Sequence, residues 1–168
     1  MPSAPALSLR PFDRDDVPFF TALAQDERVV RYVGDGRPWG EEVVRRRVAA
    51  ALDGTSPVGE GEAVRWFVAT ELARRVALLV SSRRPEGVEI GYWVDPAAWG
   101  RGVAGALVAR AVLLLREVHG PEPLIARVDP ANVASAKVLL RGGFRRTGTS
   151  DGMDVYRLEP PAAVTPRR

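Results

Sequence analysis

The stretch Trp99-Gly100-Arg101-Gly102-Val103-Ala104-Gly105 constrains this chain most. It stands between a strand-like run, Val88–Val94, and a long run whose apolar residues recur at helical spacing. A glycine turn at such a junction aims main-chain N–H groups at one point, and glycine lets an anion approach with no Cβ in the way. The first turn of the following helix adds unpaired N–H donors and the positive end of its dipole. The chain is therefore expected to be an α/β (α+β) protein with a phosphate-bearing ligand held at this turn.

The flanking pattern places the turn in a larger order. Leu7–Arg10 alternates as a short strand stopped by Pro11, and Asp13–Asp16 offers caps for a helix carrying Val17, Phe19, Phe20 and Leu23. Gly34–Pro38 reads as a loop, followed by a helix over Glu41–Leu52 and a mobile loop over Asp53–Gly61. Val64–Thr70, Val76–Ser82 and Val88–Val94 form an antiparallel meander; the helix after the glycine turn runs from Gly102 to Val118. Leu124–Val128 is a strand, Asn132–Arg141 a helix stopped by Gly142-Gly143, and Phe144–Thr147 with Val155–Leu158 a hairpin. The order β-α-α-β-β-β-α-β-α-β-β predicts a mixed central sheet in one domain over residues 7–159. The Pro-rich tail, 160–168, is expected to be disordered.

Composition excludes several chemistries. The 168 residues contain no Cys and one His (His119), so disulfides, a thiol nucleophile and a thiolate or His-rich metal site are excluded, and no metal is expected. The N-terminus lacks a secretory pattern, and no apolar run reaches the roughly 18 residues of a membrane span. A cytoplasmic protein with no membrane partner is expected. Basic charge is almost all arginine, scattered among carboxylates, and the net charge is +3. A nucleic-acid partner is not expected from that distribution.

Gly100–Gly105 also spells G-x-G-x-x-G, the dinucleotide fingerprint. In that fold the first glycine follows its strand almost directly, whereas Asp95–Trp99 intervenes here. Too few βα units follow to build the fold either. No Gly-Lys-Ser/Thr follows, so a Walker loop fails outright.

Four motifs in order carry a better match. Glu89-Ile90-Gly91-Tyr92-Trp93-Val94-Asp95-Pro96, the glycine turn, Asn132-Val133-Ala134-Ser135 and Gly142-Gly143-Phe144 together resemble the GNAT acetyltransferases. Leu9-Arg10-Pro11, Asp15-Asp16 and Val30-Arg31-Tyr32 resemble the branch that includes ribosomal-protein N-terminal acetyltransferases. The resemblance implies a GNAT fold splayed at its fourth and fifth strands, with acetyl-CoA as donor and an amine as acceptor. That acceptor is a small molecule or a protein N-terminus, and homodimer pairing is a further feature of such domains.

By the same resemblance Trp99, Gly100, Arg101, Gly102, Val103, Ala104 and Gly105 hold the pyrophosphate, with Trp99 standing where the family has Gln or Arg. Trp93 and Val94 are placed beside the cofactor, with the N–H of Val94 or a neighbour polarising the thioester carbonyl. Asn132 and Ser135 match the second cofactor motif; helix capping explains both equally well. The tyrosine that many members place seven residues after the Asn is Leu139 here, leaving Ser135, water or Tyr156 as proton donor. Glu89 is the first candidate for general base, with an exposed strand-end carboxylate as the plain reading. Tyr32, Asp35, Trp39 and Glu41 lie where the family builds its acceptor wall, with Glu42 and Trp66 as further members. His119 reads as a helix cap. A non-catalytic acyl-CoA-binding module and an acetyltransferase for charged tRNA are the competing readings.

Overall fold

The computed structural model describes residues 4–54 and 62–162. Most of the loop expected at 53–61, and the tail from residue 163, lie outside the described residues. Among the described residues seven strands form one sheet in the order β1-β2-β3-β4-β5-β7-β6. They are β1 (Ser8–Pro11), β2 (Glu62–Glu71), β3 (Arg74–Arg84), β4 (Gly87–Val94), β5 (Leu124–Val128), β6 (Arg145–Ser150) and β7 (Met153–Leu158). All neighbours run antiparallel except β4 and β5.

The helices are α1 (Val17–Ala24), α2 (Glu27–Val30), α3 (Glu41–Asp53), α4 (Val103–His119) and α5 (Val133–Arg141). They bury two faces of the sheet. Val103, Leu107, Ala111 and Leu115 of α4, with Leu139 of α5, pack on Ile90, Leu79, Ala126 and Tyr156. On the other face Phe20 and Leu23 of α1 and Val44 of α3 pack on Trp66, Val68 and Leu78. Period-2 alternation sorts β4 between them: Val88, Ile90, Tyr92 and Val94 face α4, and Trp93 faces α1 and α3.

Three departures from the sequence pattern have local causes. Pro11 belongs to β1 rather than stopping it, because an edge strand tolerates the lost N–H donor; the ladder resumes with Phe12 N–H donating to Trp66 O at 2.9 Å. α2 is a single turn, capped by Asp26, whose carboxylate accepts from Arg28 N–H at 2.9 Å. β2 and β3 meet through only Leu72 and Ala73, with φ of 47° and 65°. That is the left-handed geometry of a tight hairpin, which normally takes Asn-Gly. Leu72 is 98% exposed, so no packing opposes a change there. Replacing the pair by Leu72→Asn and Ala73→Gly is expected to raise Tm by about 2–4 °C, about 1 kcal/mol of relieved strain, in a thermal melt.

The N-terminal segment is fastened by Asp16, fully buried. Its two oxygens accept from Arg10 Nη1 and Nη2 at 2.7 and 2.6 Å, from Arg75 Nε at 2.6 Å and from Asp13 N–H at 2.9 Å. One carboxylate thus joins β1, the start of α1 and β3. This gives Leu9-Arg10-Pro11 and Asp15-Asp16 a structural reading. His119 differs from expectation too: its ring does not cap α4 but is buried, with Nε2 3.2 Å from Ser81 Oγ. Burial, reinforced by Arg83 and Arg65, holds its pKa below the ordinary value.

Candidate active site

The glycine turn enters α4 without a side-chain cap. Gly102 is the N-cap at φ 79°, Gly100 has φ 72°, and the first intrahelical bond at this end runs from Ala106 N–H to Gly102 O at 3.1 Å. The N–H groups of Val103, Ala104 and Gly105 precede that bond, and all three residues line a cleft of about 1420 Å³. Trp99 closes one side of the turn, its Nε1 donating to Val94 O at 2.9 Å. Arg101 departs from expectation. It turns away from the cleft and donates from Nη2 to Glu71 Oε2 at 2.5 Å.

From the turn the cleft runs between β4 and β5. These strands pair only at Val88↔Leu124 and Glu89↔Ile125, and beyond that point they part. Val88 N–H donates to Pro123 O at 2.8 Å on the β5 side, while Asp95 N–H donates to Val76 O at 2.8 Å on the β3 side. Alternation then turns the N–H groups of Tyr92 and Val94 into the gap. A strand edge left open inside a protein needs a partner.

Beside the gap stands the start of α5. Asn132 Oδ1 accepts from Ser135 N–H at 3.2 Å, so the capping role holds, and both residues also line the cleft. The Tyr92 hydroxyl is buried there without a hydrogen bond of ordinary geometry. Burial raises its pKa, and the nearby Ser135 side chain opposes that in part. Tyr156, by contrast, is buried in the core beneath α4 and lines no part of the cleft. Leu139 is fully buried. Tyr92 lies within the Glu89–Pro96 motif, and its place opposite α5 follows from strand parity once α4 and α5 share one face.

Glu89 lines the cleft near the last paired position, held by Arg84 Nε at 3.0 Å and facing Arg127 Nε at 3.7 Å. Trp93 stacks on Phe20 (5.6 Å, 16°) and meets Trp39 edge-on at 5.1 Å. Tyr32, Trp39 and Trp66 line the cleft with them. Asp35, Glu41 and Glu42 do not. Asp35 accepts from Arg37 N–H at 3.1 Å in its own loop, and both glutamates sit exposed in the first turn of α3. The first turn of α3 is where the helix dipole favours both glutamates.

A cleft of this size exceeds the roughly 300–1,000 Å³ of a single small-ligand site. Its parts are an anion-binding helix start, an open strand edge and an aromatic chamber beyond. These parts suit a long phosphorylated ligand beside a second molecule. The sequence matches the acetyltransferase (GNAT) domain over residues 6–145, and the chain belongs to that family. It is an N-acetyltransferase, with acetyl-CoA as the donor of its class. An uncharacterized N-acetyltransferase YoaA of Bacillus subtilis is 25% identical over 140 residues, covering 81% of this chain and 77% of the relative. The fold is similar to RimL, a ribosomal L7/L12 α-N-protein acetyltransferase solved with coenzyme A: TM-score 0.75, 17% identity, 95% and 97% of the two chains covered. It is likewise similar to the spermidine N-acetyltransferase of Vibrio cholerae with CoA and spermine: TM-score 0.72, 19% identity, 90% and 92% covered. Among the described residues no helix is long and apolar enough to cross a membrane.

Proposed function

We propose that residues 7–159 form one acetyltransferase unit that acetylates a primary amine by direct attack within a complex of donor and acceptor. The observation that carries this reading is the continuity of the three uncapped N–H groups of α4 with the open edge of β4. Those N–H groups fit a pyrophosphate, and the N–H groups of Tyr92 and Val94 fit the amide-bearing arm that follows it. Acetyl-CoA supplies an acetyl thioester and, on reaction, a thiolate leaving group.

The residues around the gap then divide the work. A C–N bond forms as the C–S bond breaks; the amine loses a proton and the thiolate gains one, giving an amide and a free thiol. The N–H groups facing the gap stabilise negative charge developing on the carbonyl oxygen. Ser135 and Tyr92 hold the proton that the thiolate takes, and burial keeps Tyr92 a neutral phenol until that step. Glu89 serves as a strut rather than a base, because guanidiniums already engage both its oxygens. The rings of Trp39 and Trp93 keep water from the reacting end.

The test pairs binding with turnover. Acetyl-CoA is expected to raise Tm, and thiol release is expected with at least one class of amine. Binding without release against every amine would leave only an acyl-CoA-binding module, and no binding would remove the reading altogether. Tyr92→Phe and Ser135→Ala are each expected to lower kcat about 10- to 100-fold, near the lower end of what general acids supply, since a thiolate leaves readily. If they share one proton, the double variant loses no more than the worse single variant. Additive losses would separate their roles.

A further inference from the structure

The acceptor end of the cleft is furnished with rings and guanidiniums. Arg47 reaches from α3 over Trp39, its Cζ 5.2 Å from the ring centroid. Arg31, from the segment after α2, lies 5.4 Å over Tyr32. Both line the cleft, and among the described residues neither has a carboxylate within ion-pair distance. Arg47 is half-buried, and burial, with Arg46 next in effect, works against its charge. A guanidinium held in that condition without a counter-ion is costly unless a ligand brings one.

The donor does not account for it. The N–H groups that suit its phosphates stand at the start of α4, whereas Arg47 stacks in the aromatic chamber on the opposite face of the sheet, where Trp39 meets Trp93 and Phe20. The carboxylates of the cleft do not neutralise it either. Glu89 is taken by Arg84 and Arg127; Asp129 accepts from Ala131 N–H at 2.8 Å in its own turn; Glu27 sits in the first turn of α2. Six arginines against three carboxylates line the whole cleft, and Asp35, Glu41 and Glu42 stay outside it. A polycationic amine would bring its charges against Arg47 and Arg31.

We infer that the acceptor is an amine carrying a carboxylate, as in an acidic amino acid or a peptide with acidic residues at its N-terminus, and that Arg47 binds the carboxylate with Arg31 flanking it. This rests on the N-acetyltransferase reading above.

The experiment measures thiol release from acetyl-CoA with four acceptors: glutamate, a tripeptide with aspartates at its second and third positions, spermidine, and a neutral aliphatic amine. One of the two carboxylate-bearing amines is expected to lead spermidine in kcat/KM by at least about tenfold, and the leader identifies free amino acid or peptide. Arg47→Gln is expected to cut that leader about 10- to 100-fold, mainly through KM, the range of a lost charge-assisted bond, and to leave the neutral amine within about threefold. Arg31→Gln, at an exposed position, repeats the direction with a smaller loss and guards against misfolding of the first variant. Calorimetric binding of the acidic tripeptide to the CoA complex gives a readout without turnover, and Arg47→Gln is expected to weaken it equally. If spermidine leads, or if neither variant weakens the leading carboxylate-bearing amine, the inference is overturned while acetyl transfer stands. Absence of thiol release with every amine overturns the enzymatic reading instead, and the calorimetry still decides the role of Arg47.

Discussion

Ala104→Glu is expected to abolish acetyl-CoA binding while leaving the protein folded. Ala104 is the second residue of α4, on the wall of the cleft, where its N–H has no partner in the helix. A carboxylate at this place meets the positive end of the helix dipole, so the unliganded variant is expected to be as stable as the parent or more so by about 0.5 kcal/mol. A bound pyrophosphate changes the sign of that effect. Two like charges about 5 Å apart at an effective dielectric of about 20 repel by about 3 kcal/mol, more than a 100-fold loss of affinity. At about one hundred times its Kd, acetyl-CoA should stabilise the parent by about 2.7 kcal/mol, a shift of several degrees that the variant loses. NADH should shift neither protein. Gly102→Glu would confuse the result, because Gly102 has φ 79° and any side chain there is strained whatever the ligand. A folded Ala104→Glu protein that acetyl-CoA still stabilises would place the phosphates somewhere else.

Legibility in the sequence followed the range of the interaction responsible. The glycine turn, the apolar period of α4 and the Asn132 cap are local, and the structure has them where the residues place them. The splay of β4 from β5 was available only through family resemblance, since no residue pattern encodes where a parallel pair ends. α2 leaves no mark in the sequence because one turn has no period to detect, and β2 and β3 outrun their apolar runs because Leu72-Ala73 lacks the usual turn residues. Site residues followed the same rule. Val103, Ala104 and Gly105 belong to a local motif. Asp35 and Glu41 rest on family resemblance alone, and the packing of α3 turns a different residue, Arg47, toward the chamber. Tyr92 required two long-range facts, the parity of β4 and the face on which α5 lies.

Asp16→Ala is expected to produce a large loss of stability at a position outside the cleft. Removing one partner of a buried ion pair costs about 3–5 kcal/mol. Here the lower end applies, because Arg10 and Arg75 are 38% and 36% exposed and can rehydrate once released. About 3 kcal/mol corresponds to a fall in Tm of about 6–12 °C. The pH dependence gives an independent mark of the same carboxylate. Burial alone would raise the Asp16 pKa, but the hydrogen bonds from Arg10 and Arg75 outweigh it and hold the group well below the ordinary range. A depressed acid pKa means that the unfolded chain binds more protons, so the contribution is complete above about pH 4 and is lost as pH falls below that toward the folded value. His119, held neutral by burial, acts in the same direction in a higher window, beginning near its ordinary value of about 6.5. Parent and variant should therefore lose stability in parallel between about pH 6.5 and 4. Below that the parent should fall faster and the gap between their melting temperatures should close. A gap that stays constant down to pH 2 would mean that Asp16 fastens β1 to β3 by shape rather than by charge.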